Sequence, residues 1–234
     1  MSLLLFTTLL GSTATGLYAG VSPRIAQRLY KRSLFTDTET IPSDPKLIED
    51  FAWPNKTGLV IPAEEGNKLH AWFFYGSDDD LAIYYIGRSS CISNCLPEIS
   101  HLLSAGYSVL IGEYRGFGET PGSPSVPGIC LDGLSIFDYA VNTIGYQPSQ
   151  ITVYGESLGG GVASFVARAR QPRALVLKNT FLSLPSIGRE KVPFVRIYPD
   201  WMYPRNHLQN AAWIKDWTGA LLVVHAVNDD TFLS

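Results

Sequence analysis

Ile151-Thr152-Val153-Tyr154-Gly155-Glu156-Ser157-Leu158-Gly159-Gly160-Gly161-Val162-Ala163 is the stretch whose reading decides the fold. A short β-branched run stops at a glycine, a serine follows, and three glycines open a small-residue helical pattern. Strand, sharp turn and helix with the spacing G-x-S-x-G form a nucleophile elbow. The turn holds Ser157 in a strained backbone conformation and aims its hydroxyl out of the sheet. Gly155 and Gly159 flank it because side chains there would collide where helix and strand close together. The helix N-terminus behind Ser157 offers unpaired N–H groups and a partial positive charge to an oxyanion. The N–H of Leu158 is the donor that this geometry supplies. An idle serine in a glycine-rich turn is the plain alternative.

The 234 residues suffice for one α/β domain with a sizeable core. With 46% hydrophobic and 17% charged residues, the chain is globular and not disordered. The net charge of -3 and the lack of a basic tract argue against nucleic acid as a partner. Cys91, Cys95 and Cys130 are an odd set; Cys91 and Cys95 are too isolated from other ligand types for a zinc site, and they read as free thiols.

No charge precedes Arg24. Leu3, Leu4, Leu5, Phe6, Leu9 and Leu10 open an apolar stretch reaching Val21, near the ~20 residues that a spanning helix needs. Gly11, Gly16 and Gly20 dilute it, and the basic start of a secretory signal is missing. Residues 1–23 therefore read as a membrane anchor, with a cleaved signal or a helix packed on the protein as alternatives. Arg24, Arg28, Lys31 and Arg32 would keep the downstream domain in the cytoplasm of an anchored protein. A cleaved signal would instead make the protein secreted, and a packed helix would make it soluble. Residues 24–57 form an irregular lead-in, whose Asn55-Lys56-Thr57 matches a glycosylation sequon relevant only to a secreted chain. Residues 58–234 form the main domain.

Within that domain, residues 58–62 and 68–75 read as an antiparallel edge pair across a turn at residues 64–67. Compact apolar runs at residues 81–86, 107–111, 174–177 and 220–225 read as buried strands. Helical patterns occupy residues 97–105 and 129–141 and follow the elbow. Alternating strands and helices predict a mostly parallel sheet covered on both faces.

These features resemble the α/β-hydrolase superfamily, in particular its N-terminally anchored members of the bud-emergence type. The likeness rests on Gly155 to Gly160, on Tyr114-Arg115-Gly116-Phe117-Gly118, and on the strand-plus-Asp from Leu221 to Asp229. It implies an α/β-hydrolase fold from about Leu59 onward. Ser157 would be the nucleophile and Asp229 the acid that orients its base, with Asp230 the neighbouring choice and a turn or helix cap the structural alternative. The second oxyanion donor would come from the loop after residues 81–86, where Ile86-Gly87-Arg88 stands in place of the usual His-Gly. The backbone N–H of Arg88 can serve, and its side chain is either a cation near the site or a solvent-facing group. Glu113 stands where an aspartate often precedes the Arg-Gly turn, and Arg115 reads as a structural ion-pair partner.

The base is the difficulty. The family order is Ser, Asp, His, and Asp230 to Ser234 contain no histidine. His70, His101 and His225 read as structural, and His207 reaches the site only through an unusual layout. The resemblance also expects a further strand and helix, without which Leu221 to Val224 form a bare apolar edge. The sequence thus reads as a C-terminally incomplete hydrolase of impaired activity.

Phe194, Tyr198, Trp201, Tyr203, Trp213 and Trp217 either wall an apolar acyl site or pack as ordinary core. The leading expectation is a serine hydrolase of carboxylic esters, thioesters or related acyl bonds, with no metal or organic cofactor. Its partner would be an acyl small molecule, a lipid or an acylated protein. A non-catalytic binding or scaffold protein and a serine peptidase are the rivals.

Overall fold

The computed structural model describes residues 43–88, 90–191, 193–204 and 208–226, together with Gly16, Tyr18, Gly20, Ser22, Pro23 and Phe35. Seven strands make one sheet: β1 (Lys56–Pro62), β2 (Lys68–Phe74), β3 (Leu81–Tyr85), β4 (Ser108–Gly112), β5 (Ile151–Glu156), β6 (Ala174–Lys178) and β7 (Ala220–Val224). Their spatial order is β1-β2-β4-β3-β5-β6-β7. β1, β2 and β4 pair antiparallel, and β4, β3, β5, β6 and β7 run parallel. Six α-helices are described: α1 (Pro45–Asp50), α2 (Leu96–Ser104), α3 (Val126–Tyr139), α4 (Leu158–Arg170), α5 (Leu184–Lys191) and α6 (Asn210–Trp213).

β3 lies in the middle of the sheet, and every residue of β3 and β4 is buried. Both faces are therefore covered, which is why these strands are unbroken apolar runs instead of alternating ones. Adjacent strand residues point to opposite faces. Tyr85 accordingly donates to the carbonyl of Gly133 in α3 at 2.9 Å, while Tyr84 turns the other way and stacks on Tyr154 at 5.0 Å.

Element boundaries differ from the sequence reading mainly at α3, which begins at Val126 and not at residue 129. Ser125 caps it by accepting the Gly128 N–H at 3.1 Å. Pro127 fits in the first turn, where its missing N–H costs nothing. The Pro/Gly-rich composition that reads as loop is thus a helix start.

The expectation of an N-terminal membrane span is corrected. Among the described residues, no helix is long and apolar enough to cross a membrane. Tyr18 stacks on Tyr198 at 4.8 Å, and its hydroxyl donates to the carbonyl of Ile197 at 2.9 Å. This point of the apolar stretch packs against protein.

At the far edge, β7 pairs with β6 on one side. Leu221, Leu222, Val223 and Val224 are 45–59% exposed.

Candidate active site

Ser157 sits between the end of β5 and the first residue of α4, with φ 52° and ψ -116°. A non-glycine residue at such angles is strained by about 1–3 kcal/mol and needs its surroundings to hold it. Three hydrogen bonds do so. Its N–H donates to the carbonyl of Lys178 at 3.0 Å. Its carbonyl accepts the N–H of Gly160 at 3.0 Å and the hydroxyl of Thr180 at 2.7 Å. Its side chain is half-buried, and among the described residues none is hydrogen-bonded to its Oγ.

The glycines around it answer to particular neighbours. A Cβ on Gly155 would strike the backbone of Gly159 and Gly160. A Cβ on Gly159 would strike the carbonyl of Tyr85, because the first turn of α4 sits directly on the end of β3. This close seat brings the loop after β3 to the elbow. A Cβ on Gly87 would lie 3.5 Å from Cβ of Ser157. Arg88 follows immediately and is half-buried. Leu158 is buried in the first turn of α4, where its N–H has no acceptor within the helix.

The loop after β3 is clamped from below by Glu113. This fully buried carboxylate accepts the N–H of Ile92 at 3.1 Å and that of Glu119 at 2.8 Å. Burial raises its pKa, and the two backbone N–H groups and the nearby His70 oppose that rise. His70 Nε2 lies 3.1 Å from Glu119. Arg115 pairs structurally, as its sequence context suggests. It donates to Asp132 at 2.7 Å and to Glu65 at 2.6 Å, tying the turn after β4 to α3 and to the edge hairpin.

A second polar cluster flanks the elbow on the α2 side. Tyr84 donates to Glu156, Lys178 pairs with Glu98, and Lys178 also lies 3.4 Å from Glu156. Burial works against the Lys178 charge, but the Glu98 hydrogen bond and the Glu156 charge outweigh it and raise its pKa.

Of the sequence-derived site residues, Ser157, Leu158 and Gly87-Arg88 come together at the C-terminal edge of the sheet. Asp229, Asp230 and His207 lie outside the described residues. Beyond β7, the Ala226 N–H donates to the Asn179 side chain at 2.9 Å. His101 is exposed on α2, 3.9 Å from Glu98, and His225 is exposed beyond β7. Among the described residues, no histidine is hydrogen-bonded to Ser157.

The aromatic segment packs on itself and on α4. Trp213 meets Phe165 edge-on at 5.3 Å, and Tyr198 and Tyr203 join Val195 and Met202 in a small cluster of their own. Cys91, Cys95 and Cys130 are buried and form no disulfide among the described residues. Thr180 and Asn210 carry no motif and escape sequence reading, yet both contact the elbow's hydrogen-bond system.

No protein-family model matches the chain. Among curated proteins, it is 31% identical over 145 residues to an uncharacterized protein of Mycobacterium tuberculosis, covering 61% of this chain and 52% of that one. It is 28% identical over 144 residues to the alpha/beta hydrolase domain-containing protein WAV2 of Arabidopsis thaliana (59% and 47% covered). It is 33% identical over 144 residues to the lysophosphatidylserine lipase ABHD12 of Gallus gallus (55% and 37% covered). The chain thus spans about half the length, 52%, of the first curated relatives it matches. Among solved structures, an alpha-beta hydrolase from Vibrio vulnificus superposes with a TM-score of 0.72 at 20% identity, over 85% of this chain and 75% of that one. Sheet order, the strand–turn–helix core and the superposition together give the chain an α/β-hydrolase fold, and its curated relatives include alpha/beta hydrolase domain-containing proteins.

Proposed function

We propose that the chain is a serine hydrolase acting on carboxylic esters, thioesters or related acyl compounds. The observation that carries this reading is the strained backbone of Ser157 at a strand–helix junction, beside the loop that begins at Gly87. Strain of this kind persists where the surroundings impose it, and it clusters at reactive positions.

In this reading, Ser157 Oγ attacks the acyl carbonyl and gives up its proton to a base. The carbonyl oxygen becomes an oxyanion held by the backbone N–H groups of Leu158 and Arg88. The tetrahedral centre collapses to an acyl-serine, expelling the alcohol or thiol with a proton, and water then releases the acid. Asp229 is assigned to orient the base. Among the described residues, no histidine is hydrogen-bonded to Ser157. The lipase name carried by the Gallus gallus relative supports a lipid ester among the substrates.

The test is covalent labelling with a fluorophosphonate probe, alongside hydrolysis of a p-nitrophenyl ester. Labelling that maps to Ser157 and disappears in Ser157→Ala supports the reading. An unlabelled wild-type chain, or equal labelling of Ser157→Ala, overturns it in favour of a non-catalytic binding protein.

A further inference from the structure

We propose that Thr180 and Asn210 are positioning residues that aim the Leu158 N–H at the reacting carbonyl. The proposal rests on the serine-hydrolase reading of Ser157 and adds to it two residues that carry no recognisable motif. Asn210 Nδ2 donates to Thr180 Oγ1 at 3.0 Å. Thr180 Oγ1 in turn donates to the carbonyl oxygen of Ser157 at 2.7 Å. That carbonyl belongs to the same planar peptide unit as the N–H of Leu158. In a trans peptide, C=O and N–H point in opposite directions. Holding the oxygen on the Thr180 side therefore turns the N–H to the other side, which is where an oxyanion donor is needed.

Every link of the relay is directional. Asn210 is 2% exposed, and its amide also donates to the carbonyl of Phe181 at 2.7 Å. A backbone carbonyl can only accept, so the NH₂ end of the side chain faces Phe181 and Thr180. Thr180 Oγ1 then receives one hydrogen bond and has its single proton left for Ser157. The Gly160 N–H bonds the same carbonyl at 3.0 Å but belongs to the helix it caps, whereas Thr180 anchors the peptide plane to β6. Gly160 also makes room, since a Cβ there would collide with the Thr180 side chain. Hydrogen bonds in series polarise one another, so a bond to the carbonyl strengthens the N–H across the peptide as a donor.

The relay predicts a defect in chemistry and not in probe binding. At saturating fluorophosphonate, Thr180→Val should label Ser157 about 10-fold more slowly, because a misaimed oxyanion donor loses part of the 10²–10³ that such a donor supplies. Its half-saturating probe concentration should stay within about twofold of wild type, and Thr180→Ser should restore labelling to within about threefold, the hydroxyl being all that the relay needs. Asn210→Ala should slow labelling in the wild-type background and add nothing in the Thr180→Val background, since residues in one network are non-additive. Wild-type labelling speed in Thr180→Val overturns the relay. So does a Thr180→Ser chain as slow as Thr180→Val, or independent effects of the two positions. If wild type is unlabelled, the serine-hydrolase reading itself falls, before any Thr180 variant is compared.

Discussion

At the scale of a residue, Ser157 holds a backbone conformation that only glycine adopts without strain. The side chain thus comes at a cost to stability that function would have to justify. Ser157→Gly should therefore raise the unfolding free energy over Ser157→Ala by about 1–2 kcal/mol, read from urea denaturation. This comparison removes the hydroxyl from both arms and isolates the backbone term. Equal stability of the two variants would mean that the elbow is unstrained. The same position shows what sequence can and cannot reveal. Spacing exposes Ser157, because G-x-S-x-G is a local geometric demand. Thr180 and Asn210 are invisible to it, since they stand 23 and 53 residues further along and meet Ser157 only once β6 and α6 have packed.

At the scale of the element, the turn after β4 is held by Arg115 between two carboxylates, buried Asp132 and exposed Glu65. Asp132 is fully buried in α3 and receives Arg115 through its side chain at 2.7 Å and its backbone N–H at 2.9 Å. Replacing Asp132 with Asn leaves the buried guanidinium with only the exposed Glu65 as counter-charge, a loss of up to about 3–5 kcal/mol, the range for a buried pair broken on one side. Thermal or urea unfolding of Asp132→Asn checks this, and a change under about 1 kcal/mol would show that water takes over the role. Strands were legible from their apolar runs, and Arg115 from its place beside the glycine turn. The start of α3 was not, because Ser125, Pro127 and Gly128 are shared by loops and helix beginnings, and only the packing of α3 on the sheet separates them. The apolar stretch at the N-terminus misled for a related reason. Hydropathy records that residues avoid water but not whether lipid or protein receives them, and Tyr18 is received by Tyr198.

At the scale of the whole molecule, burial makes the fold sensitive to alkali. Burial pushes the Cys95 and Cys130 thiols from 9.0 up to about 12. Between those values the native chain keeps two protons that the unfolded chain releases, so stability falls as pH rises and is fully retained below 9.0. Buried Tyr84, Tyr85 and Tyr114 are raised in the same direction and add to the fall from about pH 10 upward. Urea denaturation across about pH 8 to 11 should show a decline of up to about 1.4 kcal/mol per pH unit for each thiol, and Cys130→Val should make it shallower by one such share. A flat profile through that range would contradict the burial of these groups.

The small cluster of Val195, Tyr198, Met202 and Tyr203 stands apart from the main core, with Tyr18 packed against it. Its ties are largely internal. Arg189 stacks over Tyr203 at 4.9 Å, Arg196 reaches the carbonyl of Arg189, and the Tyr203 hydroxyl reaches that of Val195. Among the described residues, the buried apolar side chains therefore form two clusters of unequal size. Amide protons in the lesser one should exchange with solvent through openings that leave the sheet intact, and proteases should cut that region before the strands.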